Sequence, residues 1–156
     1  IQSFDLFDKS KTFFDLYGGV GLFGVVFADL VKDVVLIEEN VHSIKCAQHN
    51  VEYNQLKNFK IIDGRMEDEF PALLDLANQK ESVAMIDPPR AGLSESVRSM
   101  FRDLSNLDTL VYLSCSPETL VRDVKDLIKD GWVISKVVPF DFFPKTRHLE
   151  ALVLLR

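Results

Sequence analysis

Short apolar runs alternate along the chain with segments whose apolar residues recur every three or four positions. The runs at 12–17, 33–37, 59–62, 82–86 and 109–113 read as buried strands. The segments between them, 20–31, 41–55, 66–78 and 94–104, read as helices. In the second of these Ile44, Ala47, Val51 and Leu56 fall near one face. Ser94 caps the fourth. Residues 117–129 form a further helix, with Ser116 as its N-cap, Pro117 at its first position and Gly131 closing it. Residues 132–138 and 151–155 are the last two strands, flanking a loop rich in Phe and Pro. Strands alternating with helices predict an α/β fold of Rossmann-like kind. The expected sheet is seven-stranded and mostly parallel, with helices on both faces. Its last two strands pair antiparallel as a hairpin-like C-terminal edge, and strands five and six are expected to be neighbours.

The 156 residues suit one domain, 1–156, with a real core. Hydrophobic residues make up 47% and charged residues 27%, the balance of a soluble globular chain. No apolar run reaches spanning length. The two cysteines, Cys46 and Cys115, are too few for a disulfide framework or a four-cysteine metal site. Without an export signal they fit a reducing cytoplasm. The chain starts at Ile1 and reads as a piece of a longer protein. Its net charge of −6 argues against nucleic-acid binding unaided, because phosphate contacts need Lys and Arg.

Candidate chemistry gathers at the strand ends. Tyr17-Gly18-Gly19-Val20-Gly21 follows the first strand and opens a helix, where backbone N–H groups are free to meet a ligand. The loop alone equally fits a tight strand-to-helix turn. Glu38 ends the second strand about 20 residues later, where an acid can bind ribose hydroxyls; Glu39 beside it leaves the register open. The spacing is not G-x-G-x-x-G, and S-adenosylmethionine, which has no pyrophosphate, suits the looser loop. Asp63-Gly64 ends the third strand, near an adenine or as an ordinary turn. Asp87-Pro88-Pro89-Arg90 ends the fourth, its prolines holding Asp87 toward the crevice.

Cys115 stands where the fifth strand meets a helix N-terminus, a place that favours negative charge, and thiolate is the nucleophilic form. Packing is the competing reading, as for Cys46 on its helix. Glu150 stands on the lip of the last strand pair. The run Phe140-Asp141-Phe142-Phe143-Pro144 can wall that site and stack a base, or simply cover the sheet end, with Glu150 paired to Arg147 or Lys145. A thiol and a carboxylate together suffice for covalent catalysis.

Four motifs in order resemble the S-adenosylmethionine-dependent RNA uracil-5-methyltransferases of transfer and ribosomal RNA. They are Asp15-Leu16-Tyr17-x-Gly19-x-Gly21-x-Phe23, Asp87-Pro88-Pro89-Arg90-x-Gly92, Ser114-Cys115-x-Pro117-x-Thr119-Leu120 and Phe143-Pro144-x-Thr146-x-His148-x-Glu150. The resemblance implies Cys115 as nucleophile adding to uracil C6 and Glu150 as general base. It implies a cofactor site at Tyr17, Gly19, Gly21, Leu22, Glu38, Asp63 and Asp87, and substrate contacts from Asp87, Arg90, Phe143 and His148. No metal site is implied within this chain. It implies an RNA partner, 23S ribosomal RNA favoured over tRNA, held mainly by a region N-terminal to Ile1. Gly18 stands where relatives usually carry Cys, Leu22 where some carry Asn, and Ser116 where Asn is common. Two other readings compete: an amino-methyltransferase of adenine or guanine, suggested by Asp87-Pro88-Pro89, and a cofactor-binding fragment inactive by itself.

Overall fold

In a computed structural model, which describes residues 6–142, 144–146 and 149–156, the apolar runs assemble into a seven-stranded sheet of order β3-β2-β1-β4-β5-β7-β6. The strands are β1 Thr12–Leu16, β2 Asp33–Glu38, β3 Phe59–Asp63, β4 Ser82–Ile86, β5 Leu107–Ser114, β6 Ile134–Phe140 and β7 Glu150–Leu155. The helices are α1 Leu22–Phe27, α2 Val41–Tyr53, α3 Met66–Ala77, α4 Glu95–Met100 and α5 Pro117–Lys129. Every residue of β1 and β4 is buried, as expected where helices cover both faces of a parallel sheet.

Strand alternation divides the core into two layers. Phe14, Leu16, Val35 and Ile37 point to one face and meet Leu73 of α3, Val97 of α4 and Val124 of α5. Phe13, Val34, Val83 and Met85 point to the other and meet Phe27 of α1. No helix among the described residues is long and apolar enough to cross a membrane.

Two departures from the sequence reading bear on the site. Helices α1 and α4 are shorter than their apolar patterns, each ending in a 3-10 turn, Ala28–Leu30 and Phe101–Asp103. More consequentially, strands five and six are not neighbours. β7 is inserted between them, antiparallel to both, so β6 runs with the parallel strands and becomes the edge. The physical reason lies in burial: Ala151–Leu155 is apolar throughout and buried at every position, whereas most of β6 is exposed.

Candidate active site

The chain order turns outward from β1 in both directions, to β2 and β3 on one side and to β4 and β5 on the other. The carboxyl ends of β1 and β4 therefore flank the crevice in which doubly wound sheets bind ligands. A cleft of about 640 Å³ opens there, lined among others by Tyr17, Glu38, Arg65, Glu67 and Asp87. That volume suits a ligand of nucleoside size.

From the glycine loop Tyr17 lines the cleft, whereas Gly19 and Gly21 lie outside its lining. Tyr17 takes a left-handed backbone (φ 58°), uncommon for a side chain of its bulk and typical of strain held at functional turns. Gly18 N–H donates to the Ile37 carbonyl at 3.1 Å, and Gly21 N–H to the Gly18 carbonyl at 2.8 Å. Gly19 also has positive φ, and a Cβ built on it would meet no protein atom, so the space above it is free for a ligand. Gly21 is the N-cap of α1. Leu22 begins that helix and is 60% exposed, outside the cleft lining.

Glu38 lines the cleft beside this loop. Its Oε2 accepts from Gly19 N–H at 2.9 Å, and its Oε1 from Glu39 N–H at 3.1 Å and Asn40 N–H at 2.8 Å. Asn40 in turn caps α2, its Oδ1 accepting from His42 and Ser43 N–H. One carboxylate thus joins the glycine loop to the end of β2. Glu39 lines the same cleft but is exposed, with only a 3.8 Å ion pair to Arg65. Asp63 pairs in register with Glu38 but is exposed; the next residues, Gly64 and Arg65, line the cleft in its place.

Asp87 faces the cleft from the end of β4, with its N–H reaching the Leu16 carbonyl at 3.4 Å. Although its side chain reaches solvent, its pKa is raised, chiefly by partial burial and then by the Glu150 carboxylate. Below the loop, Asp15 is 2% exposed and accepts from Gly24 N–H at 2.8 Å. Burial pushes its pKa up to about 7, against the lowering effect of that hydrogen bond and with further raising by Asp87 and Glu38. A carboxyl whose folded pKa exceeds its unfolded value stabilises the fold fully below the unfolded value, and that stability is lost as pH rises toward 7. Asp15→Asn keeps an acceptor for Gly24 and removes the charge. It is expected to raise the thermal midpoint at pH 8 and leave it nearly unchanged at pH 4; the same change at both pH values would contradict this assignment.

The β5–β7 ladder ends next to the thiol and the carboxylate in sequence. Its last pair is Ser114 with Ala151, and Cys115 and Glu150 are the following residues of the two strands. Glu150 pairs with Phe140 across the β6–β7 ladder, and Phe140 stacks on Phe142 with ring centroids 5.5 Å apart. Cys115 is half-buried, whereas Cys46 is exposed on α2 rather than packed. The turn holding Cys115 is braced by Ser114 Oγ, which accepts from Ser116 N–H at 3.0 Å and donates to the Ser116 carbonyl at 3.1 Å. Ser116 occupies the N-cap of α5, but its side chain makes no capping bond. Thr119 Oγ1 straps this turn to the next loop, donating to the carbonyls of Ser116 and Arg90, both at 3.2 Å. Arg90 itself is exposed. Phe143 and His148 lie outside the described residues.

Two residues that the motif reading gave no role stand out. Asp15 is a carboxylate within the buried strand β1, and Asp123 is one on the buried stripe Leu120, Val124 and Leu127 of the amphipathic helix α5. Such a break in an apolar pattern is the sign by which they can be found, because a buried charge must have partners.

The comparisons with known proteins bear on the family and the fold. The model of the tRNA (uracil-5-)-methyltransferase family matches residues 4–156. An uncharacterized RNA methyltransferase of Clostridium tetani is 38% identical over 148 residues, which are 95% of this chain and 31% of the relative. The chain spans about a third of the length of the curated relatives it matches. The crystal structure of Pyrococcus abyssi tRNA (uracil-54, C5)-methyltransferase in complex with S-adenosyl-L-homocysteine superposes with TM-score 0.78 at 29% identity, covering 99% of this chain and 36% of that one. A precorrin-6y C5,15-methyltransferase from Geobacter metallireducens shares the fold at TM-score 0.77 and 12% identity, with 97% and 81% covered.

Proposed function

Because the chain belongs to the tRNA (uracil-5-)-methyltransferase family, we propose that residues 1–156 are the catalytic domain of a longer enzyme that methylates C5 of a uridine in RNA, with S-adenosylmethionine as donor. The observation that supports this reading is the end of the β5–β7 ladder, where Ser114 pairs with Ala151 and Cys115 and Glu150 are the next residues of the two strands.

The cleft fits the donor. Glu38, Glu39, Glu67 and Asp87 line it against one arginine, Arg65, an excess of negative charge suited to a cationic ligand. Glu38 shapes the loop and keeps one lone pair, on Oε2, for a ribose hydroxyl. When bound, S-adenosylmethionine supplies an electrophilic methyl group on a sulfonium sulfur.

The protein's part follows from the weakness of uracil C5 as a nucleophile. The Cys115 thiolate adds to C6, and the ring becomes an enolate with electron density at C5. Once C5 carries the methyl group, Glu150 takes the C5 proton and the Cys115 sulfur leaves from C6, restoring the ring. Covalent addition divides one hard substitution into easier steps. Asp87 holds the base at the mouth of the cleft, and Phe140 and Phe142 offer an aromatic wall for it. Arg90, with Phe143 and His148, completes the substrate contacts. A paired uridine is hidden in its stack, so the target is flipped out or already unpaired. The remainder of the longer protein grips the RNA, since this domain carries a net charge of −6. Ribosomal or transfer RNA is the substrate class, and 23S ribosomal RNA is the first to assay.

The test is to incubate the full-length protein with unmodified RNA and methyl-labelled donor, then identify the labelled nucleoside by mass spectrometry. The expected product is 5-methyluridine. Label on an exocyclic amine of adenosine or guanosine would overturn the reading in favour of amino-methylation.

A further inference from the structure

Asp123 has no solvent exposure, yet it lies on the stripe of α5 that also carries buried Leu120, Val124 and Leu127. A carboxylate there is destabilising unless its oxygens are fully used. Both are. Oδ2 accepts from Leu93 N–H at 2.8 Å and from the Tyr112 hydroxyl at 2.6 Å. Oδ1 accepts from Arg122 Nε at 2.8 Å and from Arg98 Nη1 at 3.3 Å. Burial, then the bond to Asp123, raises the Tyr112 pKa, so the phenol keeps the proton it donates.

These donors come from the pieces that carry the proposed chemistry. Leu93 closes the loop that begins at Asp87. Tyr112 is on β5, shortly before Cys115, and Asp123 is on the helix that follows it. The two arginines extend the joint: Arg122 Nη2 donates to the carbonyls of Ala91 at 2.9 Å and Leu93 at 3.0 Å, and Arg98 Nη1 to that of Leu93 at 2.6 Å. Gly92 seats against the carboxylate with φ +73°, where a Cβ would fall 2.5 Å from Asp123 Oδ2 and 2.7 Å from Arg122 Nη2. The approach is too close for any side chain.

We propose that Asp123 is a positioning residue, which sets the spacing between the Asp87 loop and the Cys115 turn so that a base held by the first meets the thiol of the second. This rests on the uridine chemistry proposed above. Asp123 touches neither reactant. It acts through Leu93 and Tyr112, and its charge lets one atom pair hold four donors from the Leu93 loop, β5, α4 and α5. An amide of the same size cannot. Asp123→Asn turns an N–H group toward either the Leu93 and Tyr112 donors or the arginines, and the loop must shift. Misplacement of about 1 Å at a reacting centre costs on the order of 10²-fold in rate.

The test uses the full-length protein and RNA containing 5-fluorouridine. Fluorine at C5 leaves no proton to remove, so the adduct formed by Cys115 addition and methyl transfer persists and can be timed on a denaturing gel. Asp123→Asn and Gly92→Ala, which disturb the joint from its two sides, are expected to slow adduct formation at saturating RNA and donor by about tenfold or more. The affinity of Asp123→Asn for S-adenosylhomocysteine should stay within about threefold of wild type, Gly92 being itself a lining residue of the cleft, and the double variant should form the adduct little more slowly than the poorer single one. Asp126→Asn, which removes a neighbouring Arg98 partner outside the joint, should keep the wild-type rate. Tyr112→Phe, which removes one donor and keeps the ring, should slow the adduct by about threefold, and it decides the question should Asp123→Asn fail to fold. Folded variants with the wild-type adduct rate would overturn the positioning role alone. Adduct rate and cofactor affinity falling together in Asp123→Asn would overturn it as well, in favour of a purely structural one. A wild-type protein that forms no adduct would instead overturn the uridine chemistry on which it rests.

Discussion

Cys115→Ala is expected to form no covalent adduct with RNA, whereas Glu150→Gln is expected to accumulate one. Both variants should lose turnover, but at different steps. Without the thiol nothing adds to uracil C6, and C5 stays a poor nucleophile. Without the carboxylate the addition and methylation still proceed, and the C5 proton then has no acceptor. Loss of a general base slows that step by about 10²–10⁴-fold, ample to trap the intermediate. In the full-length protein, methylated RNA should therefore migrate with Glu150→Gln as a band that survives denaturation. The pairing of Ser114 with Ala151 motivates the assignment, because each of them is the chain neighbour of one of the two residues. Normal turnover by Glu150→Gln, or the same adduct from Cys115→Ala, would reverse it.

Glu38→Ala is expected to weaken cofactor binding by about 1–3 kcal/mol, the scale of hydrogen bonds to a charged group. Glu38 also accepts from the N–H groups of Gly19, Glu39 and Asn40, so its loss releases the wall of the cleft as well as a ligand contact. Glu39→Ala removes an exposed acid held only by a long ion pair to Arg65, and should change binding by less than about 0.5 kcal/mol. Titration calorimetry on the full-length protein separates the two. Equal losses would mean that the acidic rim acts through summed charge rather than through the hydrogen bonds of Glu38.

The local signs in the chain were sufficient where the cause is itself local. The buried runs of β1 and β4, the Tyr17–Gly21 turn, the Pro117 start of α5 and the Gly131 stop each follow from neighbours within a few residues. The shortened α1 and α4 show the limit even there, since their last turns tighten to 3-10 geometry against the core. Ser116 shows another: its position at the cap was legible, but the hydroxyl that accepts its N–H belongs to Ser114.

By itself, then, the sequence determined an α/β sheet with a glycine turn after β1, acids at the ends of β2 and β4, and a cysteine at the mouth of a helix. These depend on periodicity and backbone preference, which act along the chain. Only the tertiary structure decided that β7 enters between β5 and β6, and hence that Ser114, the residue before Cys115, pairs with Ala151, the residue after Glu150. A hairpin edge and an inserted strand have the same local pattern, and what separates them is which strand gains more by burial on both faces. The uniformly apolar 151–155 run gains more than β6, with its Ser135, Lys136 and Pro139, and takes the interior place. Asp123 was decided in the same way: its carboxylate is tolerable only because Leu93, Tyr112, Arg98 and Arg122 converge on it from other parts of the fold.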